Sequence, residues 1–249
     1  MAEVRVETSG GVVSLVLDAP SRRNALTVEM ARELVAACEA IDADAGVGAV
    51  VVSGAEGFFC AGADRETLFG TGADPAEDEA YRRLDWIYRS FVRVGELVPP
   101  TIAAVRGAAV GAGVNLALAT DLRIMAEDAR IVSGFSRLGI HPGGGHFTLA
   151  VRAGGRETAA AVGLFGEELS GAQAAEHGMA WQALPDAEVE PRALELAGRA
   201  GADPELSRRI ARSMRLQLGP PAVGWPVAVE AERAPQMWSL RRRADRADP

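Results

Sequence analysis

The chain is 249 residues long, 48% hydrophobic and 24% charged, with 34 acidic and 26 basic residues and a formal net charge of −8. That composition supplies a sizeable core and excludes a disordered chain or a disulfide-stapled miniature. Every basic residue is an arginine, and the absence of lysine excludes Schiff-base chemistry, pyridoxal anchoring and a phosphate-loop lysine.

In chain order, Val4 and Val6, then Val12 to Leu17, predict two strands joined at Ser9-Gly10-Gly11. A helix is predicted from about Thr27, with Met30, Leu34, Cys38 and Ile41 at core spacing. Val47 to Ser53 reads as a buried strand, Gly57 to Asp64 as a turn, and Gly70 to Glu79 as an acidic, mobile stretch. The next helix is expected to bury Tyr81, Leu84, Tyr88 and Phe91 and to end before Pro99-Pro100. Thr101 to Val105 predicts another buried strand, Gly107 to Gly113 a glycine-rich turn, and the residues through Ala119 a helix. Strands follow at Leu122 to Ala126 and Ala129 to Ser133, and the turn Gly143 to Gly145 opens a further helix. Ser170 with Gln173 forms a capping box, Gly178 stops that helix, and Asp203-Pro204 starts another. The expected organisation is a strand-and-helix core over residues 1–190 and a helical C-terminal segment over 191–249.

An acidic chain whose basic cluster is confined to Arg241, Arg242 and Arg243 predicts no nucleic-acid partner. Cys38 and Cys60 cannot form a zinc site alone and fit a reducing compartment; three histidines leave a metal site poorly supplied. The N-terminus has no apolar signal core, and the longest apolar stretch, Thr101 to Thr120, is interrupted by Arg106 and Asn115. A cytoplasmic protein without a membrane span is expected.

Twice a buried strand runs into a small-residue turn, at Cys60 to Asp64 and at Gly107 to Gly113. Small residues let a ligand approach the backbone, and helix N-termini offer free N–H groups. Two such donors converging on one point make an oxyanion hole, although glycine-rich turns are commonly turns and nothing more. Gly134 to Gly139 has one residue too many for a nucleophile elbow around Ser136, and Gly111-Ala112-Gly113 lacks the third glycine of a dinucleotide fingerprint, with Ala117 the nearest small residue.

In combination these segments are more specific. Asn24-Ala25-Leu26, Phe59 to Asp64, Gly107 to Gly113, Leu116 to Ile124 and Leu138 to Gly145, in this order, resemble the crotonase family, the enoyl-CoA hydratase/isomerase superfamily. The resemblance implies an α/β fold, a spiral of ββα units with a helical C-terminal segment, assembled as homotrimers or dimers of trimers. It implies an acyl-CoA thioester ligand, with coenzyme A as part of the substrate and no resident cofactor or metal. By motif position the thioester oxygen would be held by the N–H groups of Ala63 and Ala112. CoA would lie along Arg22, Arg23, Ala25, Ala61 and Asp64, although paired loop arginines are also commonly solvated. Asp64 and Asp121 are also expected to serve turn geometry.

The chain departs from the family at both glutamates that hydratases use to add water. Those positions hold Asn115 and Phe135, neither of which ionises. Each such group contributes roughly 10² to 10⁴ in rate, so ordinary hydration is expected to be nearly lost. His146, and less so His141, are candidate replacement bases; turn hydrogen bonding and solvation are the alternative for both. Asn115 is also able to orient a water or a substrate carbonyl. Glu66 and Asp74, near the expected mobile stretch, are able to swing in but read first as solvated loop charges, and His177 complements a helix C-terminus. The C-terminal segment resembles the family's penultimate helix over Trp225 to Arg243, with Met237 and Trp238 as interface or core anchors and the final helix shortened. The expectation is an acyl-CoA-binding enzyme that stabilises an enolate. A non-catalytic acyl-CoA binder and a hydrolase of C–C bonds or thioesters remain the alternatives.

Overall fold

The computed structural model describes residues 2–69, 78–219 and 227. Strands β1 (Val4–Ser9) and β2 (Val12–Leu17) form the expected antiparallel hairpin. Helix α1 (Val28–Ala43) is capped by Thr27, whose hydroxyl accepts from Met30 N, and buries Met30, Leu34, Cys38 and Ile41. Strand β3 (Ala49–Gly54) is buried along its whole length and pairs in parallel with β2, as a continuous apolar run covered on both faces requires.

After the short helix α2 (Arg65–Phe69) comes α3 (Asp78–Gly95). Its buried stripe is Ile87, Phe91 and Val94, whereas Tyr81, expected in the core, is 72% exposed. The rest of the expected face is kept: Phe91 is buried, Leu84 and Tyr88 are half-buried, and only its first member, Tyr81, faces out. Strand β4 (Thr101–Val105) matches expectation. The Gly107–Gly113 segment does not: its middle forms strand β5 (Ala108–Val110), which pairs with β7 (Arg130–Val132) and turns the expected loop into a sheet. Helix α4 (Ala112–Ala119) and strand β6 (Leu122–Ala126) follow, then α5 (His146–Gly163), β8 (Glu168–Ser170), α6 (Gly171–Glu176) and β9 (Gln182–Leu184). The Ser170–Gln173 capping box is formed in both directions, and Gly178 takes φ +77 beyond the end of α6. The short strands β8 and β9 carry no alternation long enough to be read from sequence.

Two sheets result, one ordered β1-β2-β3-β4-β6-β9 and the other β5-β7-β8. Each circuit of the chain lays a strand in the larger sheet, then one in the smaller, then a helix, as in β4-β5-α4 and β6-β7-α5. Past β3, Cys60 makes the equivalent contact as an isolated bridge to Ala109. This is the expected spiral of ββα units.

Helix α7 (Asp186–Gly201) packs on β2, β3, β4 and β6, and α8 (Pro204–Leu218) packs on α7. Residue 190 therefore falls inside a helix that covers the main sheet. Asp203 caps α8 through Leu206 N, and Arg208 of α8 donates to the carbonyls of Ile41, Asp42 and Val47. Among the described residues no helix is long and apolar enough to cross a membrane. Asp74, Trp225, Met237, Trp238 and the Arg241 to Arg243 cluster lie outside the described residues.

Candidate active site

The two small-residue segments meet. Cys60 N donates to Ala108 O at 3.1 Å and Val110 N to Cys60 O at 3.0 Å, which sets residues 60–63 beside residues 108–112. Gly62 has φ +91, and a Cβ there would lie 2.5 Å from Val110 O and 3.6 Å from Ala112 N. No side chain fits, so the chains approach at backbone contact distance. On the other side Leu26 N donates to Gly62 O at 2.7 Å and Asp64 N to Leu26 O at 2.8 Å. That ladder uses the groups flanking Ala63 and leaves the N–H of Ala63 itself outside the pairing with Leu26. Ala112 is the first residue of α4, where N–H groups have no intrahelical acceptor and the helix dipole is positive.

A cavity of about 230 Å³ opens at this junction. Ala61, Ala63, Ala112, Asn115 and Phe135 line it, with Leu84 and Ile87 of α3 supplying apolar wall. Its polar side chains are Asn115, Ser133, Tyr88 and His141; no carboxylate lines it among the described residues. Among those residues no cluster of metal-ligating side chains occurs either. Burial pushes the Tyr88 phenol up from its ordinary value, while a bond to the Gly144 backbone opposes that shift.

Asn115, 1% exposed, donates through Nδ2 to Gly143 O at 3.0 Å and presents Oδ1 to His146 Nδ1 at 2.8 Å. His146 Nε2 in turn lies 3.0 Å from Ser133 Oγ. The imidazole is 2% exposed, with the Phe135 ring edge-on at 5.1 Å and the Phe147 ring at 5.9 Å. Burial among these rings holds its pKa below the ordinary 6.5. Gly144 makes the approach possible: it has φ +67, and a Cβ there would lie 2.3 Å from Phe91 Cζ and 3.1 Å from Asn115 Nδ2.

Not every residue singled out from sequence reaches the cavity. His146 stands behind Ser133 and Asn115 rather than on the wall. Arg22 is turned to the N-terminal strand, pairing with Glu3 at 2.5 Å and donating from Nε to Ala25 O at 3.0 Å. Arg23 is exposed, 6.0 Å from the centroid of the Phe58 ring, and Ala25 is buried. Asp64 caps α2, its carboxylate accepting from Glu66 N at 3.0 Å, and Glu66 is exposed. Asp121 accepts from Thr101 N and Oγ at 2.8 and 3.0 Å, a turn-fixing role. His141 lines the cavity and bonds through Nδ1 to Pro142 O at 2.6 Å; His177 is exposed at the end of α6. Ser133 and Tyr88 were not anticipated. Nothing in one sequence marks a serine closing a three-residue strand, and Tyr88 read as core.

A family model described as Enoyl-CoA hydratase/isomerase matches residues 7–222. A Mycobacterium tuberculosis protein named "Probable enoyl-CoA hydratase EchA14" is 43% identical over 210 residues, 84% of this chain and 80% of that protein. The 1,2-epoxyphenylacetyl-CoA isomerase of Escherichia coli is 35% identical over 195 residues, 78% of this chain and 74% of that one. A crystal structure of an enoyl-CoA hydratase from Bacillus anthracis superposes with a TM-score of 0.87 at 26% identity, covering 96% of this chain and 91% of that chain.

Proposed function

The chain belongs to the enoyl-CoA hydratase/isomerase family, and from that premise we propose that it is an enzyme binding an acyl-CoA thioester with the carbonyl oxygen on the N–H groups of Ala63 and Ala112. The observation that supports this reading is the backbone approach at Gly62, beside which Ala63 and Ala112 both line one cavity. Charge that moves onto the thioester oxygen as an enolate forms would meet two fixed dipoles and the N-terminus of α4. One donor of this kind is worth about 3 kcal/mol in the transition state.

The named activities of the relatives, hydration and isomerisation, both pass charge through that oxygen. Ordinary hydration fits this cavity poorly, because its wall carries Asn115 and Phe135 and no carboxylate among the described residues. CoA would pass along the backbone of Ala61 and Asp64. Arg23 is exposed for its phosphates, whereas Arg22 serves the loop through Glu3 and Ala25. Ile210, Leu216 and Leu218 on α8 are exposed apolar residues, which supports association into a homotrimer or a dimer of trimers.

Calorimetry with acetyl-, butyryl-, crotonyl- and benzoyl-CoA tests the ligand, and exchange of the butyryl-CoA α-proton into deuterated water tests the hole. Binding with exchange, and little hydration of crotonyl-CoA, is expected. Failure of all four thioesters to bind would end this reading; binding with neither exchange nor CoA release would make the protein a carrier.

A further inference from the structure

We propose that Ser133 is a nucleophile activated by His146 and Asn115, and that the chain cleaves an acyl-CoA thioester by way of an acyl-serine. The proposal rests on the thioester reading above and assigns that same cavity a hydrolytic reaction.

Direction in the hydrogen-bond chain carries the argument. An asparagine can face a histidine with either end of its amide. Here the Gly143 carbonyl takes the Asn115 Nδ2 group at 3.0 Å, so the end left for His146 is the oxygen, at 2.8 Å. An amide oxygen only accepts, so His146 Nδ1 carries the proton and Nε2 carries the lone pair. The partner of that lone pair is Ser133 Oγ at 3.0 Å, and the serine hydroxyl must donate. Nucleophile, base and orienting group thus stand in the order and tautomer that nucleophilic acyl transfer requires. Had the amide been reversed, the imidazole would hold its proton against the serine and could not act as a base.

Placement agrees. His146 is walled in by Phe135 and Phe147 and, among the described residues, faces no charged group, whereas Ser133 borders the cavity. Strand β7 delivers the serine beside the proposed oxyanion hole: Val132 O accepts from Gly111 N at 2.9 Å, and Val110 pairs with Val132. Ser133 is therefore the residue just past the end of β7, and Ala112 lies two residues past Val110 on the paired segment.

The step balances without an outside reagent. A Ser133 Oγ–carbon bond forms as the hydroxyl proton passes to His146 Nε2, and the tetrahedral oxyanion rests on the Ala63 and Ala112 N–H groups. The carbon–sulfur bond then breaks, and the CoA thiolate leaves with the proton from His146. Water adds to the acyl-serine, giving a proton to Nε2; the Oγ–carbon bond breaks, the serine recovers its proton and a carboxylic acid departs.

The test uses the full chain with a fluorophosphonate probe, mapped by peptide mass spectrometry, and with acetyl-, butyryl- and benzoyl-CoA, read by CoA thiol release and intact mass. Expected are a label on Ser133, an acyl adduct of at least one thioester and CoA release that falls at least 10²-fold in Ser133→Ala and His146→Gln. Ser133→Cys, with a melting curve beside each variant, guards against misfolding: a folded S133C should trap a more persistent acyl adduct. Thioesters that bind without release, label or adduct would overturn the nucleophile and leave the thioester reading standing. Loss of α-proton exchange in Ser133→Ala without any adduct in the parent would make the pair a proton relay and likewise overturn it. If no thioester binds, the earlier reading fails, and a label on Ser133 would then show the nucleophile independently of CoA.

Discussion

Asn24 donates from Nδ2 to the Phe58 carbonyl at 2.6 Å, across 34 residues of chain. The same amide reaches Ala55 O at 3.2 Å, and its oxygen accepts from Ala19 N at 2.9 Å. Asn24 is wholly buried at φ 55, a left-handed conformation asparagine tolerates better than most residues. It ties the loop before α1 to the segment that enters the Gly62 approach. Replacing Asn24 with alanine leaves three backbone groups without that partner and should cost about 2–4 kcal/mol in urea unfolding. Asn24→Gly should recover only the backbone strain. A cost below about 1 kcal/mol for N24A would mean the loops hold without it.

Gly62→Ala should be disproportionately harmful to activity. The added methyl meets Val110 O at 2.5 Å and φ +91 is strained for alanine, so residues 61–63 must move from Ala112. Losing one donor should lower α-proton exchange by roughly 10²- to 10³-fold. An unchanged exchange rate in a folded G62A protein would remove Ala63 from the oxyanion hole.

His146 should make stability fall with acid before the carboxylates do. Burial lowers its folded-state pKa below the 6.5 of the unfolded chain, so between those values the unfolded state binds more protons. Stability is complete above about pH 6.5 and declines as pH drops towards the folded pKa, by at most ~1.4 kcal/mol per pH unit. The facing groups, Asn115, Ser133, Phe135 and Phe147, are uncharged in this range, so no partner cancels the effect. Urea midpoints from pH 7.5 to 5 should slope in the parent and flatten in His146→Gln; identical slopes would contradict a lowered pKa.

Arg215 should anchor α8. It pairs with Asp121, reaching Oδ1 from Nε at 2.9 Å, and donates to the carbonyls of Leu97 and Pro99. Both partners of the ion pair are partly solvated, at 25% and 17% side-chain exposure, which discounts the attraction. Arg215→Ala should cost about 1–3 kcal/mol, and Arg215→Lys should restore little, since one ammonium cannot span those acceptors. A complete rescue by lysine would reduce the contact to a point charge.

How much of this was legible depended on whether the signal was local. Met30, Leu34, Cys38 and Ile41 announced their face by spacing, and Ser170 with Gln173 announced a cap, because one helix determines both outcomes. Gly107 to Gly113 reads as a turn in sequence because β5 exists only through its pairing with β7, 22 residues downstream. Tyr81 was misplaced because a periodic stripe fixes spacing but not which edge of it meets α1. At the site, Ala63 and Ala112 were reached through family motifs, and their approach is a property of Gly62 that sequence alone leaves unmeasured. His146 stood out as a histidine, but its partner Ser133 lay in a strand end of ordinary composition. Only the fold turns those two residues towards each other.

Cys60 sits on the bridge that aligns the two turns, and it and Cys38 are both fully buried. Burial pushes each thiol up to about 12, leaving almost no thiolate near neutral pH. An α,β-unsaturated thioester is an electrophile that alkylates thiolates by conjugate addition. With lysine also missing from the chain, the usual soft and amine nucleophiles for that reaction are withheld from solvent along the described residues. Were an unsaturated thioester bound in the cavity, neither a thiolate nor a lysine amine would stand ready to be alkylated by it.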